Sequence, residues 1–158
     1  MPANCTLGPA SPYAVKHNPA AYYSIDSDRA ACGRDDVGFE AFPIDLDQGT
    51  LPTFSFITPN LCNDTHDCTV DVGDAWLSQW VERIVTSATY RAGRTALFVV
   101  WDEPAPMPFI VVTPSTSHVV YGATTDHYGL LRTTEEMLGL PLLGQAAQAT
   151  SLRDAFNS

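Results

Sequence analysis

The stretch LCNDTHDC, residues 61 to 68, places Asn63, Asp64, His66 and Asp67 between Cys62 and Cys68. Carboxylates and an imidazole at this density can bind a divalent cation, move a proton or steady an oxyanion. A Cys62 to Cys68 bridge closes a loop worth about 2 kcal/mol by the chain-entropy model, and it would hold those side chains rigid. The plainer alternative is a turn with Asx hydrogen bonds and a surface histidine. A second candidate is the pair Asp102 and Glu103, directly after the apolar run TALFVVW. Adjacent carboxylates repel unless a cation neutralises them, so a divalent metal is their natural partner, and a solvated strand end is the alternative. His17 lies in VKHNP and His127 in TTDHYG, while His118 in STSHVVY reads as a plain strand or loop residue. A lone histidine such as His17 is more often structural than catalytic, and His127 suits either a ligand or a helix N-terminal residue. The chain has no G-x-S-x-G elbow, Walker loop or dinucleotide fingerprint.

These residues need elements to place them. TFSFITP, 53 to 59, is rich in aromatic and β-branched residues and predicts a buried strand. From Asp74, Trp76, Leu77, Trp80, Val81, Ile84, Val85 and Ala88 recur at helical spacing, with Asp74 as cap and Gly93 as stop. TALFVVWDE and PFIVVTP predict two more strands, and HYGLLRTTEEMLGLP predicts a second helix ended by Gly139 and Pro141. Tyr13 to Val15 reads as a short strand, 24 to 36 as a polar loop, and 38 to 52 as a short helix or turn. Continuous apolar runs suggest strands covered on both faces, so the expected class is α/β with a mostly parallel sheet. In such sheets ligands collect outside the carboxyl ends of the strands, where both polar clusters fall.

Composition narrows the partners. The 158 residues suffice for one domain burying about 70% of its unfolded surface. Eight Lys and Arg against 18 Asp and Glu leave a net charge of −10, and no basic stripe is present to track nucleic acid. Lys16 is the single lysine, so an anionic substrate must be held by metal, backbone N–H groups or a local arginine. No segment has the run of about 18 apolar residues a membrane span needs. The four cysteines form two local pairs, Cys5 with Cys32 and Cys62 with Cys68, and read as disulfides, which persist outside the cytosol. The N-terminal residues lack the charged and apolar regions of an export signal.

YAVKHNPAAYY, LPTFSFITPNLCNDTHDC, GDAWLSQWV, TALFVVWDE and DHYGLLRTTEEMLGLPLLG together resemble the bacterial phosphoesterase family of acid phosphatases and phosphatidylcholine-type phospholipases C, within the alkaline phosphatase superfamily. The similarity runs from about Met1 to Phe156. It implies a partial alkaline-phosphatase-like three-layer α/β sandwich, and a metal-dependent phosphoester hydrolase whose Ser or Thr nucleophile forms a phosphoenzyme. Asp102 and Glu103 match the metal-ligating W-D-E motif. His66 in N-D-x-H-D, His17 in K-H-N-P and His127 in D-H-Y match active-site histidines. The metal's identity stays open among zinc, manganese, iron and calcium.

Two departures stand out: PAPMP after Glu103 is shorter than the family's usual loop, and no segment matches the part that carries the nucleophile and a Glu-Asn metal pair. The expectation is therefore a C-terminal portion of 1 to 158, with the nucleophile and an export signal upstream, secreted or held in the periplasm or at the cell surface. A sheet lacking its first strands predicts self-association through an exposed edge. The substrate expected is a small phosphoester or phospholipid. The rival readings are a non-catalytic remnant that binds at most a divalent ion or phosphate, and a small secreted interaction domain.

Overall fold

The computed structural model describes residues 1–116 and 119–155. The chain forms two compact units, Met1–Arg91 and Ala92–Ser158. The first is helical: α1 (Asp26–Asp35), α2 (Ala41–Gln48), α3 (Val70–Thr86) and α4 (Ala88–Arg91). The second contains β1 (Leu97–Val100), β2 (Phe109–Val112) and α5 (His127–Leu138).

In the first unit, α3 puts Trp76 and Trp80 on one face, where they meet Phe39 and Phe42. Phe39 stands edge-on to Trp80 with ring centroids 4.7 Å apart, a favourable quadrupole arrangement. Arg83 lies over the Trp80 ring at 5.3 Å and pairs with Asp47 at 2.6 Å, so it fastens α3 to α2. The helix begins earlier and ends sooner than its periodicity suggests. Asp74 is an exposed interior residue, not the cap. Ser87, in extended geometry, stops α3: its Oγ donates to the Ile84 carbonyl at 2.7 Å and accepts the Tyr90 N–H at 3.2 Å, which also starts α4. Residues 24 to 36, expected as loop, contain α1, because the Cys5–Cys32 disulfide and Asp36 tie this polar segment down. Asn18 Nδ2 donates to Asp36 Oδ2 at 2.7 Å.

The expected parallel central sheet, and with it the three-layer α/β sandwich, is overturned. Among the described residues the sheet is β1 and β2 alone, antiparallel, with Leu97 opposite Val112 and Val100 opposite Phe109. The connection from Trp101 to Pro108 is shorter than the dozen or so residues of a parallel crossover, and it permits only a hairpin. Residues 53 to 58 form no strand; they are irregular, with a bend at Thr53 and Phe54, and Phe54 and Phe56 are 53% and 68% exposed. A strand needs a neighbour for its N–H and C=O groups, and none pairs with this segment among the described residues. Tyr13 contributes a single bridge to Ala10, followed by a 3-10 turn over Val15–His17.

The second unit is organised by α5. Asp126 caps it, accepting the Gly129 N–H at 3.0 Å, and Gly139, at φ 68°, ends it as the sequence predicts. The chain after α5 folds back onto it. Thr133, fully buried, accepts the Leu152 N–H at 2.8 Å, and the buried Glu135 accepts the Leu143 N–H at 3.2 Å. Gly129 has no room for a side chain, since a Cβ would fall 2.9 Å from the Thr150 carbonyl oxygen. His118 lies outside the described residues.

Candidate active site

The loop of the first unit is built from its backbone outward. Asn60 Oδ1 accepts the N–H groups of Cys62 at 3.1 Å and Asn63 at 3.0 Å, an Asx turn that starts the loop. Asp67 N–H closes it on the Leu61 carbonyl at 2.7 Å, and the Cys62–Cys68 disulfide clamps its ends. Thr65 adopts φ 72°, a left-handed geometry that is costly for a β-branched residue. That turn lets the Asp64 side chain reach forward: its Oδ1 accepts the His66 N–H at 2.8 Å. Gly73, in the first turn of α3, backs the loop, leaving 3.0 Å between its notional Cβ and the Asn63 carbonyl oxygen.

Two side chains of the 3-10 turn and three of this loop converge. His17 Nδ1 lies 3.1 Å from Asp64 Oδ2. That oxygen is buried and meets the ring without an aligned hydrogen bond. The rings of His17 and His66 stand 5.7 Å apart, near edge-on. His66 is engaged at both nitrogens: Lys16 Nζ is 3.0 Å from Nε2, and Asp67 Oδ1 is 2.8 Å from Nδ1. An ammonium has no lone pair, so in the neutral ring Nε2 accepts from Lys16 and Nδ1–H donates to Asp67. The sequence reading named His17, His66, Asp64 and Asp67, and the fold brings them together. Asn63 enters through its main chain. Lys16 was missed as a site residue, although its being the chain's single lysine, next to His17, was the available signal.

In the second unit Asp102 and Glu103 leave β1 exposed to solvent. His127, the first residue of α5, donates from Nε2 to the Trp101 carbonyl at 3.1 Å, so it anchors the base of the W-D-E turn. A cavity of about 320 Å³, lined by Pro106, Met107, Phe109, Thr125, Asp126 and His127, opens beside it. The two carboxylates are hard oxygen donors of the kind a divalent cation takes. Among the described residues only Cys5, Cys32 and Asp36 gather three ligand-type atoms within 4.8 Å, and those cysteines are already spent in a disulfide.

Comparison with known proteins gives this geometry a context. The Phosphoesterase family model matches residues 2–106. A phosphatidylinositol-3-phosphatase of Mycobacterium tuberculosis is 32% identical, over 96% of this chain and 50% of that protein. An acid phosphatase of Aspergillus fumigatus is 28% identical, over 84% of this chain and 32% of that protein. A phosphate-repressible acid phosphatase of Penicillium chrysogenum is 28% identical, over 84% and 34%. The chain thus spans about half the length of the mycobacterial relative and about a third of the fungal ones. No solved structure matches it. With the family model covering Met1's neighbour Pro2 through the W-D-E turn to Pro106, this chain belongs to the Phosphoesterase family.

Proposed function

We propose that this chain supplies part of the active site of a metal-dependent phosphoester hydrolase that works through a phosphoenzyme. The observation that carries the reading is the convergence of His17, His66 and Lys16 on a disulfide-closed acidic loop. A phosphoryl group needs positive or hydrogen-donating groups on its oxygens, and a proton for the leaving oxygen. Asp64 lies against His17 Nδ1, and Asp67 fixes the orientation and tautomer of His66, so two imidazoles are pre-positioned for those tasks. Asp102 and Glu103 would hold the divalent cation, which when bound polarises phosphoryl oxygens. His127, bonded to Trp101, would keep that turn in place. Relatives named as phosphatases favour a phosphate monoester over a phospholipase-type diester. Two disulfides support a location outside the cytosol, and no helix of the described residues is long and apolar enough to cross a membrane.

A second reading, a remnant that binds a divalent ion or phosphate without turnover, is favoured by one observation: no third donor joins Asp102 and Glu103 among the described residues. Hydrolysis of chromogenic phosphate monoesters and diesters tests both. Turnover by the chain that rises with zinc, manganese or calcium and vanishes on chelation excludes the remnant and places a nucleophile within these residues. A part of a site is as silent by itself as a remnant, so the two are separated by grafting these residues into the mycobacterial relative in place of its matching half: metal-dependent turnover of the graft supports the hydrolase, and a folded, silent graft supports the remnant.

A further inference from the structure

The single lysine of a chain with net charge −10 has 18 carboxylates to choose from, and Lys16 instead donates to an imidazole. Among the described residues it forms no ion pair. Its backbone explains how it is held. The 3-10 turn Val15–His17 directs consecutive side chains about 120° apart, so His17 reaches Asp64 while Lys16 reaches His66, one at each end of the 64–67 segment. The turn itself is fixed: His17 N–H bonds the Ala14 carbonyl at 3.0 Å, Asn18 N–H bonds Val15 at 2.9 Å, and Leu61 N–H ties the loop to Pro12 at 3.0 Å. A solvent-exposed ammonium is thereby kept against the His66 ring with no carboxylate bonded to it among the described residues.

We propose that Lys16 is a phosphate-contacting residue that also positions His66. This rests on the reading of His17 and His66 as phosphoryl-binding groups. Without ligand, Lys16 donates to Nε2 and holds His66 in the Nδ1–H tautomer. When a phosphate group enters beside the rings, its oxygens compete for the ammonium and win, because an N–H bond to an anionic oxygen is stronger than one to a neutral ring nitrogen. Lys16 then turns to phosphate and leaves Nε2 of His66 free to face the same group. The ligand class is a phosphate monoester, with inorganic phosphate as its smallest probe.

The test is an NMR titration of the isotopically labelled chain with inorganic phosphate, following the His17 and His66 rings and the Lys16 side chain, in the unsubstituted protein and in K16M and K16R. The side chain is exposed, so neither substitution disturbs packing. The expected result is an Nδ1–H tautomer at His66 before phosphate, one saturating curve shared by all three residues, and an about tenfold weaker affinity in K16M with a redistributed His66 tautomer. K16R retains most of the affinity. Histidine responses of equal affinity in K16M and the unsubstituted chain would overturn the role of Lys16 while leaving the histidine reading intact. No response at His17 and His66 in the unsubstituted chain would overturn that reading, and the inference with it.

Discussion

His66 is bonded at both ring nitrogens, and its two partners have opposite charge. That polarity, ammonium at Nε2 and carboxylate at Nδ1, assigns the ring's tautomer without any hydrogen being seen, and it was visible in the sequence only as an adjacent H-D pair. Lys16 is marked in the sequence only as the single lysine, next to His17; its reach to His66 is set by a 3-10 turn that carries no periodic signature. Asp102 is a simpler case. It has no bonded partner among the described residues, and Asp102→Asn keeps the shape of the side chain while removing its charge. If Asp102 and Glu103 hold a divalent ion as a pair, calorimetric titration of the D102N chain with manganese is expected to show at least about tenfold weaker binding. Equal affinity takes Asp102 out of the ligand set.

The elements around the loop turn that residue chemistry into geometry. The Cys62–Cys68 pairing was legible from spacing, and its effect is local: opening the bridge with C62S/C68S is expected to cost about 2 kcal/mol in urea unfolding and to broaden the contact between Lys16 and His66. Gly73 is the companion constraint. A methyl group there meets the Thr65 side chain and the Asn63 carbonyl oxygen, both backbone-fixed by the Asx turn and the disulfide. G73A is therefore expected to destabilise the first unit by about 1–3 kcal/mol and to shift His66 resonances; an unchanged urea midpoint would show that the loop yields freely. Nothing in the sequence marked Gly73, since a glycine in a helix announces a close approach but not what approaches. In the second unit the tail is held by charge. Ser151 Oγ donates to Glu136 Oε2 at 2.6 Å, and Arg132 bonds Oε1 at 2.7 Å. The Ser151 bond first, then Arg132, lower the Glu136 pKa below its ordinary value of 4.5. A lowered carboxyl pKa stabilises the folded state above the unfolded value and is lost as pH falls through the folded one. The docked tail should loosen as the solution is acidified below about pH 4.5, with hydrogen exchange at the Leu152 amide rising. E136Q is expected to remove that pH dependence.

At the scale of the whole molecule, the α/β class was misread for a physical reason that the sequence contained. A run such as LFVV is the same string in a buried parallel strand and in a hairpin, and only the length of the connection, Trp101 to Pro108, distinguishes them. The helices α3 and α5 were legible because an amphipathic period or a cap and a glycine stop declare themselves locally. TFSFITP was not, because a strand exists only with a neighbour, and this segment has none among the described residues. Its consequence is measurable. Phe54 and Phe56 point more than half of their surface at water, and Ile110 is 50% exposed on β2, which pairs with β1 alone among the described residues. Exposed edges with apolar side chains are templates for pairing with another chain, whereas the net charge of −10 opposes association at low salt. Salt screens that repulsion and strengthens the hydrophobic contact. Molar mass by light scattering is therefore expected to rise with protein concentration and to rise further with added salt. F54S/F56S is expected to return the chain towards monomer if the 53–58 segment is the sticky element. Association that persists in this variant and falls in I110K would place it on the β2 edge instead, and a strictly monomeric mass at high salt would show that neither surface seeks a partner.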